Sequence, residues 1–143
     1  MTMVSFHKAD IQFRLFEPKK IKTHIIRLFN EEGKTLTKID FIFCSDEYLL
    51  QINKDFLQHD YYTDIITFGL SQQPDEIIGE VYVSIDRVRD NAVQHNTTFK
   101  QELLRVIFHG CLHLCGYGDK KKREITIMRE KEDENLRKFE ETT

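Results

Sequence analysis

The chain has 143 residues, of which 40% are hydrophobic and 31% charged, and a formal net charge of −3. That length suits one domain, the apolar content excludes a disordered chain, and the acidic balance excludes nucleic-acid binding by overall charge while leaving room for a local basic groove. The longest stretch free of Asp, Glu, Lys and Arg runs from Val106 to Gly118, which is shorter than the roughly 18 apolar residues a membrane crossing needs.

The N-terminal MTMVSFHKAD has neither a basic leader nor an apolar h-region, so the expected compartment is the cytoplasm. Pro18 precedes Ile21, Ile25, Leu28 and Phe29 at helical spacing and Gly33 follows them, the order of a helix-start proline and a helix-end glycine. From Leu36 to Cys44, alternation of Ile39, Phe41 and Phe43 with Lys38, Asp40 and Ile42 predicts a strand with one buried face. Leu49, Ile52 and Phe56 return to helical spacing. DIITFGL (Asp64 to Leu70) and IIGEVYVS (Ile77 to Ser84) are strand-like runs around Pro74-Asp75 and predict a hairpin. Ile85 to Val93 reads as a short helix. Thr98 and Gln101 have the spacing of a capping box, so a helix should start there, run to Cys115 and stop at Gly116. A last helix should carry Ile125, Met128, Leu136 and Phe139 on one stripe, with its charged remainder in solvent. Helices alternating with strands point to one mixed sheet with helices packed against it.

The chemistry is concentrated in FHGCLHLCGYGDK, Phe108 to Lys120. His109 and His113 are four residues apart, about 40° around a helix axis with Cβ atoms roughly 6 Å apart, close enough to share an ion. On the same wheel Leu104, Phe108, Cys111, Leu112 and Cys115 share a separate arc, the expected core face, which directs both cysteines away from the metal. Cys44 makes the number of cysteines odd, and all three are expected as reduced thiols. Gly116 can take the left-handed conformation that doubles the chain back and brings Asp119 to the histidine pair. The expected metal ligands are therefore His109, His113 and Asp119, holding one ion with a fourth place left for water or substrate. Zinc (Zn2+) is the first choice, and the carboxylate ligand widens the range of acceptable divalent metals. The spacing is that of the metzincin protease site up to its last ligand, but Gly110 stands where those proteases carry their general-base Glu.

HGCLHLCGYGDK resembles the signature of the bacterial YbeY family, H-G-x-L-H-L-x-G-Y-D-H. NKDFLQHDYYTDIITF (Asn53 to Phe68) is similar to that family's N-K-x-[FY]-R-x-K-D-x-P-T-D-V-L-S-F, and IIGEVYVSIDRV (Ile77 to Val88) to its G-[DE]-[IV]-x-[IV]-S strand and following helix. The resemblance implies a single compact α/β (α+β) domain over residues 1–143, with a small mixed four-stranded sheet packed with helices and a zincin-like metal helix. It also implies a metal-dependent single-strand endoribonuclease that matures the 3′ end of small-subunit ribosomal RNA and serves ribosome quality control. The expected partners are ribosomal RNA and the ribosome, with no membrane and no small organic cofactor. Carried over residue by residue, His109 and His113 match the first two zinc ligands and Asp119 replaces the third histidine.

Two departures remove cations, because the family's arginine falls on Leu57 and its lysine on His59. RNA contact must then come from elsewhere, and the candidates are Arg87, Arg89, Lys120 and Arg123, with Lys121 and Lys122 in the same basic run and His59. His59, Asp60, Thr63 and Asp64, placed before a strand, are candidates to support catalysis. Two other readings compete: a metzincin-like metalloprotease, weakened by Gly110, and a non-catalytic ribosome-associated module in which zinc only staples helix to loop.

Overall fold

The computed structural model describes residues 2–142, in the order β1 (Met3–Lys8), α1 (Pro18–Glu31), β2 (Thr35–Cys44), α2 (Asp46–Leu57), β3 (Ile65–Gly69), β4 (Glu76–Ser84), α3 (Ile85–Gln94), α4 (Phe99–Leu114) and α5 (Lys122–Glu141). Each helix and strand expected from sequence forms. β1 was not expected; it is a short edge strand in which Val4 alone is buried, too weak a pattern to register as alternation.

The four strands form one mixed sheet in the order β1-β2-β4-β3. β1, β2 and β4 run parallel, and β3 pairs antiparallel with β4 as the expected hairpin. Because successive side chains alternate between faces, Ile39, Phe41 and Phe43 of β2 and Val81 and Val83 of β4 meet α1 and α4 in the main core. α5 closes that core with Met128, Leu136 and Phe139. The opposite face carries α2, whose Leu49 packs on Cys44 and Ile66. The result is an α+β domain with most of its helical mass on one side of the sheet. Among the described residues, no helix is long and apolar enough to cross a membrane.

Three local details govern how α4 is set. Its start is fixed by the Thr98 hydroxyl, which accepts from the Gln101 backbone N–H at 3.1 Å. The reciprocal half of the expected capping box is not made: Gln101 Oε1 is buried with no partner among the described residues. The middle of α4 lies close on the sheet at Gly110, where an added Cβ would stand 2.9 Å from Ile65 Cδ1 and 3.1 Å from Val81 Cγ1. Gly116, at φ +108, turns the chain at the end. The stripe expected on α5 needs one correction, since Ile125 is 51% exposed and sits beside a cleft rather than in the core. The three cysteines are unpaired, and burial pushes the thiols of Cys44 and Cys115 up to about 12.

His24 is buried between α1 and α5, where its Nε2–H donates to Asn135 Oδ1 at 2.8 Å and its ring lies 4.6 Å from that of Phe108. Burial lowers its pKa below the ordinary 6.5 and outweighs the raising effect of the Asn135 bond. The unfolded chain therefore binds a proton here more readily than the native one, so this group's contribution to stability falls as pH drops through the ordinary histidine range.

Two predictions follow from this packing. Gly110→Leu forces a branched side chain into the α4–sheet contact and should cost about 3 kcal/mol, lowering Tm by about 10 °C in a thermal melt. The Tm advantage of wild type over His24→Gln should shrink between about pH 8 and about pH 5; an advantage constant across that range would contradict the burial of a neutral imidazole.

Candidate functional site

The two faces of α4 divide its duties. Leu104, Phe108, Cys111 and Leu112 are fully buried in the core, while His109 and His113 emerge together on another side, their rings parallel within 3° and their centroids 6.5 Å apart. The turn at Gly116 returns Asp119 to this face, where its Oδ2 lies 3.1 Å from His109 Nε2.

The other nitrogen of each imidazole is already engaged. His109 Nδ1–H donates to Glu132 Oε2 at 2.7 Å, and His113 Nδ1–H donates to the Tyr117 carbonyl at 3.1 Å. Nε2 of His113 is thus the atom left for a further partner, while Nε2 of His109 already meets Asp119. Glu132 is 6% exposed and takes a second bond from Arg105 Nη1 at 2.8 Å, while Arg105 Nη2 holds Asp133 at 2.7 Å. Burial disfavours the charged form of His109, but the Glu132 hydrogen bond, with the charges of Glu132, Asp119 and Asp64, carries its pKa above the ordinary value. The ring is therefore held where a positive charge on its Nε2 side is favoured, supplied by a proton or by a metal cation. As the side chains stand, His109 and Asp119 touch directly, and no three ligand-type side chains among the described residues form a group that could hold an ion.

Beside this helix face is a cleft of about 420 Å³ whose wall includes Asp64, Glu102, Arg105, Asp119, Arg129 and Glu132. Burial raises the pKa of Asp64, and the charge of His109 offsets part of that rise. Its Oδ2 accepts from Asn91 Nδ2 at 3.4 Å.

The structure sorts the other sequence candidates by position. Thr63 and Asp64 line the cleft, whereas His59 and Asp60 do not. His59 Nδ1 and the Tyr61 hydroxyl share a hydrogen bond at 2.9 Å and the two rings stack, and Asp60 pairs with Lys54 at 3.5 Å. Arg87 binds Asp46 at 2.6 Å, with its guanidinium over the Tyr62 ring, and Arg89 lies over Phe99. Lys120, Lys121, Lys122 and Arg123 are exposed at the start of α5, and none of them lines the cleft. The cysteines are not poised as ligands, since the burial that raises their pKa values keeps the metal-binding thiolate rare.

Glu132, Arg105, Arg129 and Glu102 were not found from sequence. Charged residues on charged helices look solvated. A usable signal exists all the same: Glu132 lies four residues from both Met128 and Leu136, on the buried stripe itself, and a carboxylate on such a stripe requires a partner. Arg105, His109 and His113 likewise form one i, i+4, i+8 line along α4.

The site also separates this chain from the metzincin proteases. Position 110 faces Ile65, Thr67 and Val81, so a glutamate after the first histidine would run into β3 and β4.

Comparison with known proteins identifies the family. The family described as Endoribonuclease YbeY matches residues 3–140. The Endoribonuclease YbeY of Cytophaga hutchinsonii is 49% identical, over 95% of this chain and 96% of its own. That of Porphyromonas gingivalis is 39% identical over 99% and 93%, respectively. A Thermotoga maritima protein solved in solution superposes with a TM-score of 0.66 at 28% identity, covering 95% of this chain and 88% of its own. On sequence, fold and the histidine-bearing helix together, the chain belongs to the Endoribonuclease YbeY family.

Proposed function

We propose that this chain is a metal-dependent single-strand endoribonuclease that matures ribosomal RNA at the 3′ end of the small subunit and serves ribosome quality control in the cytoplasm. In this reading residues 1–143 act as one metallohydrolase domain, and His109, His113 and Asp119 hold one zinc ion. The observation that carries it is the engagement of both Nδ1 atoms, by Glu132 and by the Tyr117 carbonyl. Acceptors at the rear nitrogen fix the tautomer that offers Nε2 to a metal, and they raise its basicity. The donor set of two imidazoles and one carboxylate suits a borderline cation with an open coordination place.

A zinc ion so held supplies Lewis acidity toward a phosphodiester oxygen and toward water. The protein's own part is positional. Glu132 orients His109, Arg105 fixes Glu132, and the α4–sheet contact at Gly110 sets the helix that carries both imidazoles. Asp64 stands in the same cleft with a raised pKa, which suits its carboxyl to hold or release a proton during phosphodiester cleavage. The protease reading is disfavoured by Gly110, because a glutamate there would be driven into the sheet.

Metal analysis paired with RNA cleavage tests the proposal. Wild type should retain about one equivalent of zinc and cleave single-stranded RNA in a chelator-sensitive manner, and Asp119→Ala should lose most of both. Chelator-insensitive cleavage, or RNA left intact by the metal-loaded protein, would overturn it. Glu132→Gln should weaken zinc affinity about 10- to 100-fold in a competition titration; an unchanged affinity would show that Glu132 does not act on His109.

A further inference from the structure

A phosphodiester is an anion, yet the cleft wall presents four carboxylates, Asp64, Glu102, Asp119 and Glu132, against two guanidiniums, Arg105 and Arg129. Arg105 is committed, with one terminal nitrogen on Glu132 and the other on Asp133. Arg129 is not: its side chain is 58% exposed and its Nη1 stands 3.8 Å from Glu132 Oε1, beyond hydrogen-bond distance. Arg129 is thus the cleft guanidinium with donors to give to a phosphate.

The cleft also continues. A second depression of about 380 Å³ shares His95, Glu102, Arg105 and Arg129 with the first and reaches Thr97 and Gln101 at the first turn of α4. Gln101 Oε1, on the side chain lining this second depression, is buried with no hydrogen-bond partner among the described residues. A buried acceptor left unpaired is costly, and a donor that meets it is bound selectively.

We propose that the two depressions form one track for single-stranded RNA. The second is a nucleotide subsite beside the cleavage centre, in which Arg129 contacts a backbone phosphate and the Gln101 amide, turning outward from the position where its Oε1 is covered, accepts a hydrogen bond from a ribose 2′-hydroxyl. This rests on the endoribonuclease reading above. The 2′-hydroxyl is the donor that RNA has and DNA lacks, so an acceptor at this place adds discrimination between the two. The wall of shared residues sets the phosphate contact between the subsite and the reacting centre.

The test uses the full-length zinc-loaded protein, a short single-stranded RNA and the DNA of the same sequence. Arg129→Ala should raise KM for the RNA about 10-fold and reduce the salt slope of RNA binding by about one. Gln101→Leu should raise KM about 5-fold and narrow the RNA-over-DNA binding preference by a similar factor. Arg137→Ala removes the same charge from an exposed position on the same helix, where Arg137 pairs with Glu141; it should match wild type in every readout. Metal content of all three variants should equal that of wild type; Tm should be unchanged for Arg129→Ala and Arg137→Ala and no lower for Gln101→Leu, which removes an unpaired buried acceptor. If wild type cleaves RNA while either Arg129→Ala or Gln101→Leu keeps the wild-type KM, the subsite is overturned and the endoribonuclease reading stands. If metal-loaded wild type leaves RNA intact, the reading beneath it fails and the subsite falls with it.

Discussion

A carboxylate buried among helices has to be answered by charge or hydrogen bonds, and Glu132 is answered twice. Its two oxygens are divided between Arg105 and His109, one turn apart on α4, so α5 is joined to α4 by a polar clasp laid over an apolar core. Truncating either partner leaves an uncompensated buried group, which is the costly way to break such a pair. The clasp also orients the imidazole nearest Asp119. Stability and site geometry are thereby tied to one interaction, and the helix that supplies Glu132 earns its place through Met128, Leu136 and Phe139 in the same core.

The position of α4 depends on a second constraint, steric rather than polar. Gly110 lets the helix approach β3 and β4 to a distance that any side chain would increase. Close approach places the imidazole face at the rim of the sheet, next to the strand entry at Asp64. The same lack of a side chain removes the protease base, so one residue serves packing and separates this chemistry from that of enzymes with similar ligand spacing.

Much of this was legible in the residues. Helix starts at Pro18 and Thr98, the turns at Gly33 and Gly116, and the alternation in β2 are local signals, and local signals survive folding. β1 escaped because an edge strand with one buried residue has little alternation to show. At the site, the spacing of His109, His113 and Asp119 is itself geometry, and the turn after α4 brings Asp119 against His109. Arg105, Arg129 and Glu132 could not be read from sequence, since their roles arise from α4 meeting α5, with His109 and Glu132 separated by 23 positions in sequence. The basic run from Lys120 to Arg123 stands next to Asp119 in sequence, and the start of α5 leaves it exposed to solvent outside the cleft.

The two-sided use of α4 restricts how the chain can change length. One residue inserted between the Thr98 cap and His109 would rotate everything after it by about 100°, swinging the imidazoles toward the interior and Phe108 toward water. The sixteen residues of this helix therefore behave as a ruler that tolerates substitution at some marks and no added mark. Insertions belong instead in the exposed connection from Gln72 to Asp75 between β3 and β4, where the phase of the helix is untouched.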